Sequence, residues 1–439
     1  MDRRHLLRAM AAMATATPAL WAQADSDSRK RRKEPSSRTT SGSTNLAPPT
    51  NPKARVIVLG GGMAGATVAK YLRLWGDAID VTLVDRANSY TSCIMSSLVL
   101  TGQRTMASLA YNHDTLRTRY GIRTVYGEVT AVDPVSCRVT LASGQVLMGD
   151  RLVLAPGIAF DEVPGLTNPD AMPHAWKAGP QTALLARQLA AMPSNGVAVL
   201  TIPKAPYRCP PGPYERACLL ADWIRLRKPQ GKLIVLDANL DFVAERDNFS
   251  RAFFDLHGKV IEYRTGVVID SVDPTSRTIN TNGGPVRGDV VNLIPAQRAP
   301  QLLADAGLLT DASGRFAPVD VLSYASRVAP HTHVIGDSSA TTQPKAGHIA
   351  NQEAKVCADA LSRIFAGGSP DPAPVTNSAC YSTITMRQAS WLEAVFQYDP
   401  GSATMQAVAA GSGASVGWNS EHFSDMGTWF QALMADSFA

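Results

Sequence analysis

A glycine-rich turn after an apolar run constrains the fold of this chain more than any other feature. Residues 55–59 are an apolar run, followed by Gly60-Gly61-Gly62-Met63-Ala64-Gly65 and a helical stretch. This order is that of a dinucleotide-binding unit, in which glycines permit a tight turn and let a pyrophosphate approach the helix N-terminus. A second apolar run, residues 81–84, ends in Asp85, about 20 residues beyond Gly65, where an acid accepts hydrogen bonds from the adenosine ribose. The pattern predicts an α/β fold with a bound ADP moiety, held by Gly60, Gly62, Gly65 and Asp85.

A second signature lies far along the chain, at His333-Val334-Ile335-Gly336-Asp337. It resembles the segment of two-dinucleotide flavoproteins whose aspartate binds the ribityl or pyrophosphate region of FAD. Two separated signatures indicate FAD rather than NAD in the first site, although Asp337 as an ordinary turn residue is the alternative. Lys345 follows closely and is a candidate to stabilise negative charge at flavin N1; surface solvation is an equal alternative.

A second α/β unit, predicted over residues 166–285, has lost its nucleotide motif. After the apolar run 197–202, the loop at residues 206–217 reads Pro-Tyr-Arg-Cys-Pro-Pro-Gly-Pro-Tyr-Glu-Arg-Ala. Prolines have no backbone N–H to offer a pyrophosphate. We therefore expect a nicotinamide pocket converted into a cysteine site around Cys209. Core packing of Cys209 and its pairing with Cys218 are the alternatives.

The N-terminal segment has the features of an export signal. Arg3-Arg4, an alanine-rich stretch and Ala22-Gln23-Ala24 predict a twin-arginine signal peptide over residues 1–24 and a periplasmic location. The formal net charge of +5 is concentrated here, since residues 1–24 carry +2 and residues 25–55 carry +5, which leaves −2 for the rest. Residues 25–54 are predicted to form a disordered basic linker, and nucleic acid is not an expected partner. No later segment is long and apolar enough to span a membrane.

The number and spacing of the six cysteines limit the metal and redox chemistry that the chain can support. They stand at positions 93, 137, 209, 218, 357 and 380, without a Cys-x-x-Cys pair, which excludes a zinc ribbon or an attached c-type haem. In an oxidising compartment some are expected to pair. The FAD-binding unit is predicted to comprise residues 55–165 and 286–366, and a composition shift then marks a C-terminal module, residues 367–439, covering the flavin.

These motifs make the chain after the linker resemble the flavoprotein chain of flavocytochrome c sulfide dehydrogenase. The resemblance implies an α/β, glutathione-reductase-like fold of two dinucleotide-binding domains with a C-terminal interface domain. The Cys-Pro-Pro-Gly-Pro-Tyr-Glu-Arg run is its most specific part. The segments that carry it are Tyr90-Thr91-Ser92-Cys93, residues 173–179, residues 206–217, residues 291–295, residues 297–299 and Ala379-Cys380-Tyr381-Ser382.

The resemblance also implies roles for three cysteines. Cys93 matches the residue that forms a thioether with the flavin 8α-methyl carbon, although Ser92 intervenes where the family usually reads Tyr-Thr-Cys. Cys209 and Cys380 match the redox-active pair over the isoalloxazine ring. Hydrosulfide would attack one sulfur of their disulfide, leaving a persulfide and a thiolate. FAD would take two electrons, and a c-type cytochrome subunit would receive them, because this chain encodes no haem motif.

Two other functions stay open from the sequence. A sulfide:quinone oxidoreductase would share the fold and the cysteines but needs a membrane-binding C-terminus. The apolar residues of 421–439 recur at near-helical spacing without a basic flank, which favours a subunit or domain contact. A non-catalytic flavin-binding assembly or sensor protein would bind flavin that sulfide does not reduce.

Overall fold

A computed structural model describes residues 45–439 of the chain. The predicted signal peptide and the linker up to residue 44 lie outside the described residues. Two largely parallel sheets, one of eight strands and one of four, organise the described part. This is the predicted architecture of two dinucleotide-binding units.

The first unit begins with a strand, a glycine turn and a helix, as predicted. Its strand β1 lies between β2 and β9 and is parallel to both, so that Val58 is opposite Leu83 and Val153. The apolar side chains of β1 are buried, as the centre of a parallel sheet requires. The elements are β1 (Ala54–Leu59), α1 (Met63–Trp75), β2 (Ile79–Asp85), β3 (Ser89–Thr91), α2 (Ser97–Leu100), β4 (Ala110–Asn112), α3 (Asp114–Tyr120), β5 (Arg123–Tyr126), β6 (Val129–Asp133), β7 (Arg138–Leu141), β8 (Val146–Met148), β9 (Arg151–Leu154) and β10 (Ala159–Phe160).

In the first unit, parallel strands are followed by an antiparallel meander, β6-β7-β8, and by a strand, β9, that returns to the parallel sheet. The second unit has the same order, with the meander β14-β15-β16 and the return strand β17. Its elements are α4 (Pro180–Ala191), β11 (Val197–Ile202), α5 (Gly212–Arg227), β12 (Lys232–Asp237), α6 (Arg246–Arg251), β13 (Ile261–Arg264), β14 (Ile269–Asp273), β15 (Thr278–Thr281), β16 (Gly284–Arg287) and β17 (Val290–Asn292). The parallel order is β13-β12-β11-β17. Because β17 pairs with β11, the unit extends to Asn292, beyond the predicted boundary at residue 285. That boundary was placed too early because an apolar run suits either sheet.

The chain then returns to the first unit and completes its sheet in the order β22-β19-β20-β21-β9-β1-β2-β5. The elements of this segment are β18 (Gln297–Arg298), α7 (Gln301–Asp305), β19 (Ala317–Asp320), β20 (Ala325–Ser326), β21 (Thr332–Val334), β22 (Ser339–Ala340) and α8 (Gly347–Phe365).

A three-stranded antiparallel sheet and a helix form the C-terminal module. They are β23 (Val375–Thr385), β24 (Gln388–Asp399), β25 (Thr404–Ala414) and α9 (Ser420–Phe438). The apolar face of α9, with Met426, Phe430 and Leu433, is buried in the core of the first unit. The near-helical spacing of the tail therefore serves a domain contact. Within residues 45–439, no helix has the length and apolar character to cross a membrane.

Candidate active site

A cavity of about 400 Å³ lies between the turns of both units and the C-terminal module. The strands β1, β2, β11 and β21 end beside it, as ligand sites of parallel sheets do. Two predicted residues, Gly65 and Lys345, are not among its lining residues. The other seven line it: Gly60, Gly62, Asp85, Cys93, Cys209, Asp337 and Cys380.

The glycine turn after β1 and the start of α1 have two positions, Gly60 and Gly65, at which the backbone leaves no room for a side chain. Gly60 has φ +98°, and a Cβ there would lie 2.4 Å from the Ala155 carbonyl oxygen. A Cβ on Gly65 would lie 1.7 Å from the Gly60 carbonyl oxygen. Gly65 therefore acts by letting α1 pack closely on the turn rather than by facing the cavity.

Asp85 sits at the end of β2 beside this turn. Its carboxylate accepts hydrogen bonds from the Gly61 amide at 2.5 Å and from the Ala87 amide at 3.0 Å. These bonds fix its orientation while it still lines the cavity. This is the position in which an acid can meet a ribose hydroxyl.

Asp337 lies in a short 3-10 turn after β21. The Gly336 amide donates to the buried Glu353 carboxylate at 2.6 Å, which anchors the turn to α8. The buried Oδ1 of Asp337 has no hydrogen-bond partner among the described residues. Burial raises the pKa of Asp337, while Arg208, Lys345 and Lys177 oppose that shift. A buried acceptor without a protein partner fits the hydroxyl of a ligand such as the ribityl chain of FAD.

Cys93 faces the cavity although Ser92 precedes it. Ser92 is fully buried; its amide donates to the Leu109 carbonyl at 2.8 Å and its hydroxyl to the Ile94 carbonyl at 3.2 Å. The Cys93 sulfur lines the cavity and accepts from the Ala178 amide at 3.5 Å. The side chain of Ser92 is therefore buried in the protein interior, and Cys93 still lines the cavity.

Cys209 is held in an unusual backbone conformation. Its φ of +59° lies in the left-handed region, which is uncommon for a residue with a side chain. Its amide donates to the Lys345 carbonyl at 2.6 Å, and its carbonyl accepts from the Gly212 amide at 2.8 Å. A Cβ on Gly212 would lie 2.8 Å from the Cys209 sulfur. The loop therefore presents the sulfur against the first turn of α5.

Cys380 reaches the same cavity from β23. The neighbouring Ala379 amide donates to Nδ1 of His348, which ties this strand to α8. Burial raises the pKa of the Cys380 thiol to about 12, with Glu245 adding to the shift. Burial likewise raises the pKa of Cys209 well above its ordinary value, with further contributions from Cys380 and Glu215. Both cysteines line the same cavity, and all six cysteines are unpaired in the structure.

Two charged residues of the proline-loop motif were given no role from the sequence. Glu215 lines the cavity and accepts from the Thr383 hydroxyl at 2.9 Å; burial raises its pKa to about 7. Arg216 is fully buried and donates to the Asn292 amide oxygen at 2.9 Å and the Ala175 carbonyl at 2.9 Å. The sequence signal that could have identified them is that both charged residues fall at the start of the helix that follows strand β11.

Lys345 is held by contacts outside the cavity lining. Its ammonium donates to the Ser339 carbonyl at 2.7 Å and lies 3.7 Å from the centre of the Phe316 ring. The remaining cysteines, Cys137, Cys218 and Cys357, are buried in the cores. In residues 45–439, no cluster of His, Cys, Asp or Glu is arranged to hold a metal ion.

Comparisons with known proteins cover most of the chain after the linker. The family model for pyridine nucleotide-disulphide oxidoreductases matches residues 54–185. The model for the central part of the sulfide dehydrogenase (flavocytochrome c) flavoprotein chain matches residues 182–295, and that for the flavin-binding part of flavocytochrome c sulphide dehydrogenase matches residues 372–438.

One curated relative and two solved structures extend this result. The sulfide dehydrogenase (flavocytochrome c) flavoprotein chain of Chlorobaculum thiosulfatiphilum is 47% identical over 45 residues, which are 10% of this chain and 94% of that one. The sulfide:quinone oxidoreductase of Aquifex aeolicus has a TM-score of 0.73 at 15% identity, covering 87% of this chain and 91% of that one. Putidaredoxin reductase, in its covalent complex with putidaredoxin, has a TM-score of 0.61 at 20% identity, covering 79% and 87%. At these identities the two structures show the fold alone.

Fold and site together define an FAD-dependent oxidoreductase built on two dinucleotide-binding units. The glycine turn, Asp85 and the unpartnered Asp337 oxygen are the features that fit FAD. The chain belongs to the family of sulfide dehydrogenase (flavocytochrome c) flavoprotein chains. The predicted fold class and FAD are confirmed.

Proposed function

We propose that this chain oxidises hydrosulfide to zero-valent or polysulfide sulfur through a Cys209–Cys380 disulfide and FAD. One observation carries the proposal. Two cysteines from distant parts of the sequence line a single cavity, together with the turn and the acids that suit FAD. A loop whose nicotinamide-binding donors are replaced by proline and a thiol suits an inorganic sulfur substrate rather than a nucleotide.

The reaction is a thiol-disulfide exchange followed by two-electron transfer. Hydrosulfide attacks one sulfur of the disulfide, which breaks the S–S bond and gives a persulfide and a thiolate. A second hydrosulfide removes the outer sulfur as HSS⁻ and restores the thiol. Closing the disulfide again releases two electrons and one proton. FAD, when bound, supplies the two-electron acceptor.

Side chains around the cysteines suit anionic chemistry. Burial disfavours the charge on Arg208, but negative charge around it, that of Asp337 included, outweighs burial and raises the pKa of the guanidinium. Arg208 therefore stays cationic at the cavity wall and attracts hydrosulfide. Glu215, whose carboxyl titrates near neutral pH, can hold the proton that is released.

Cys93 is the proposed covalent anchor of FAD. Its sulfur is in the cavity wall, as a thioether to the flavin 8α-methyl carbon requires. Acid precipitation should leave flavin on the wild-type polypeptide and release it from Cys93→Ala. Free flavin in the wild-type supernatant would refute the thioether while leaving FAD binding intact.

The proposed electron acceptor is a separate c-type cytochrome subunit in the periplasm, reached by twin-arginine export. The described residues bury the apolar face of α9, which a quinone enzyme would need at the membrane. Cell fractionation tests this choice. Flavoprotein in the periplasmic fraction, co-purifying with haem, supports it, and recovery with membranes would favour the quinone alternative.

The function itself is tested by anaerobic titration of the purified holoprotein with sulfide. The expected result is loss of the oxidised flavin absorbance, with HSS⁻ or longer chains detected as products. Flavin that stays oxidised with excess sulfide would mean a binding or sensing protein instead.

A further inference from the structure

We infer that Glu245 is a positioning residue for Cys380. Its buried carboxylate clamps the β23–β24 hairpin to the second unit and places a negative charge behind the cysteine. The clamp is a property of the described structure, and its consequence for sulfide oxidation rests on the proposed function.

Two serines of the hairpin grip this carboxylate. Ser382 and Ser390 are directly opposite each other on β23 and β24. The Ser382 hydroxyl donates to Oε1 of Glu245 at 2.6 Å, and the Ser390 hydroxyl donates to Oε2 at 2.5 Å. Both serines are fully buried, and Glu245 is 8% exposed. Charge-assisted hydrogen bonds of this kind are short and strong, so each strand is fixed at one point to the same carboxylate.

The backbone at Glu245 is shaped to reach the hairpin. Its φ of 45° and ψ of 40° are left-handed, a conformation that is unfavourable for a residue with a side chain. Asn248, one turn later, donates to the Ser415 carbonyl at 3.0 Å and accepts from the Gly417 amide at 2.9 Å. The segment from 245 to 248 therefore holds all three strands at one end of the C-terminal sheet, and the residue with the left-handed backbone is the one whose carboxylate binds the hairpin.

The clamp lies directly behind Cys380. Cys380 and Ser382 are two residues apart on β23 and so share a face of the strand. The titratable groups that act on the Cys380 thiol are Glu245 and Glu215 of α5; Cys209 of the proline loop lines the same cavity, and His348 of α8 accepts from the neighbouring Ala379 amide. Burial lowers the pKa of His348 to about 4, so it is neutral and offers no compensating charge. After burial, Glu245 contributes most to the raised pKa of Cys380. Burial also raises the pKa of Glu245 itself, while its bonds from Ser382, Ser390 and Asn248 favour the charged form.

The arrangement keeps the Cys380 sulfur protonated when the pair is reduced. A thiol is a poor nucleophile compared with a thiolate, so a reduced Cys380 resists unwanted oxidation and alkylation. The residue thus tunes reactivity without touching the reacting atoms.

The test is the pH dependence of Cys380 modification in the full-length holoprotein carrying Cys209→Ser. The reagent is methyl methanethiosulfonate, and the modified residue is identified by mass spectrometry. Glu245→Gln keeps the shape of the clamp and removes its charge. The midpoint of modification should fall by about one pH unit or more, which is about a tenfold faster reaction below the midpoint.

Glu393→Gln is the matched control, because this carboxylate lies on the same hairpin but is not among the charges that act on Cys380. An unchanged midpoint in Glu245→Gln, or an equal shift in both variants, would overturn the inference. In a Glu245→Ala variant, the backbone amides of β23 and β24 should exchange with solvent hydrogen faster than in wild type. Unchanged exchange would show that Glu245 does not clamp the hairpin. Neither readout uses sulfide or an electron acceptor, so failure of the proposed function would leave these outcomes untouched.

Discussion

The turns after β1 and β11 occupy the same place in the two units and have opposite chemistry. In the first unit, residues 60–62 join strand to helix, and glycine is needed at position 60 because the neighbouring backbone leaves no space for a Cβ there. In the second unit, residues 203–211 form a longer loop rich in proline, with Cys209 at its tip. One scaffold thus presents backbone donors in one copy and a thiol in the other. The difference shows that the parallel sheet and helix set the position, while the turn alone decides the chemistry.

The largest expected effect tests the thiol of the second turn. Cys209→Ser and Cys380→Ser should each lower the rate of flavin reduction by sulfide on the order of 10³-fold or more, because neither can form the disulfide. Both should keep FAD. Stopped-flow absorbance gives the rate, and Cys218→Ala, in the core beside the loop, is the control that should retain it. An undiminished rate of flavin reduction by sulfide in either serine variant would show that the cysteine at that position is not needed for the reaction.

The next effect tests the bare backbone of the first turn. Gly65→Ala places a methyl group against the Gly60 carbonyl, a backbone clash that should exceed the roughly 1–3 kcal/mol usual for overpacking. The purified variant should contain little or no flavin, measured as the ratio of flavin to protein absorbance. Gly427→Ala is the matched helical control, because a Cβ there meets open space. It should keep its flavin and gain up to about 1 kcal/mol of stability. A fully flavinated Gly65→Ala protein would contradict the steric account.

A smaller effect concerns Glu215, which stands in the first turn of α5, where a nucleotide unit would receive a phosphate. Its pKa of about 7 exceeds its ordinary value of 4.5, so between these pH values the folded state holds a proton that the unfolded state has lost. Stability therefore falls as pH rises through this window. Glu215→Gln removes the loss, and its melting temperature relative to wild type should rise between about pH 4.5 and pH 8. A constant offset between Glu215→Gln and wild type across this pH range would show that the carboxyl is not perturbed.

The smallest effect is expected from NADH. If prolines have removed the donors that a nicotinamide nucleotide needs, NADH should leave the flavin spectrum unchanged in an anaerobic sample that sulfide then reduces. Prompt reduction of the flavin by NADH would mean that the turn after β11 still binds a dinucleotide, as the turn after β1 does.

The sequence predicted the first site better than the second, for a physical reason. Gly60, Gly65 and Asp85 are local consequences of a strand, a turn and a helix. The meeting of Cys209 with Cys380 depends on where the C-terminal module packs, and only the family resemblance could predict it. Glu215, Arg216 and Glu245 were missed because buried charge is visible only when the partners are known. The contacts of the Lys345 ammonium with Phe316 and the Ser339 carbonyl likewise depend on tertiary packing that the sequence does not display.

The hydrogen bond from the Cys209 amide to the Lys345 carbonyl has a consequence for how the molecule matures. It fastens the redox loop to the segment that follows the Asp337 turn. Ordering a loop costs conformational entropy. Here the hydrogen bond to the Lys345 carbonyl, in the FAD-binding unit, offsets part of that cost. Closure around the nucleotide and shaping of the reactive loop thus become a single assembly event.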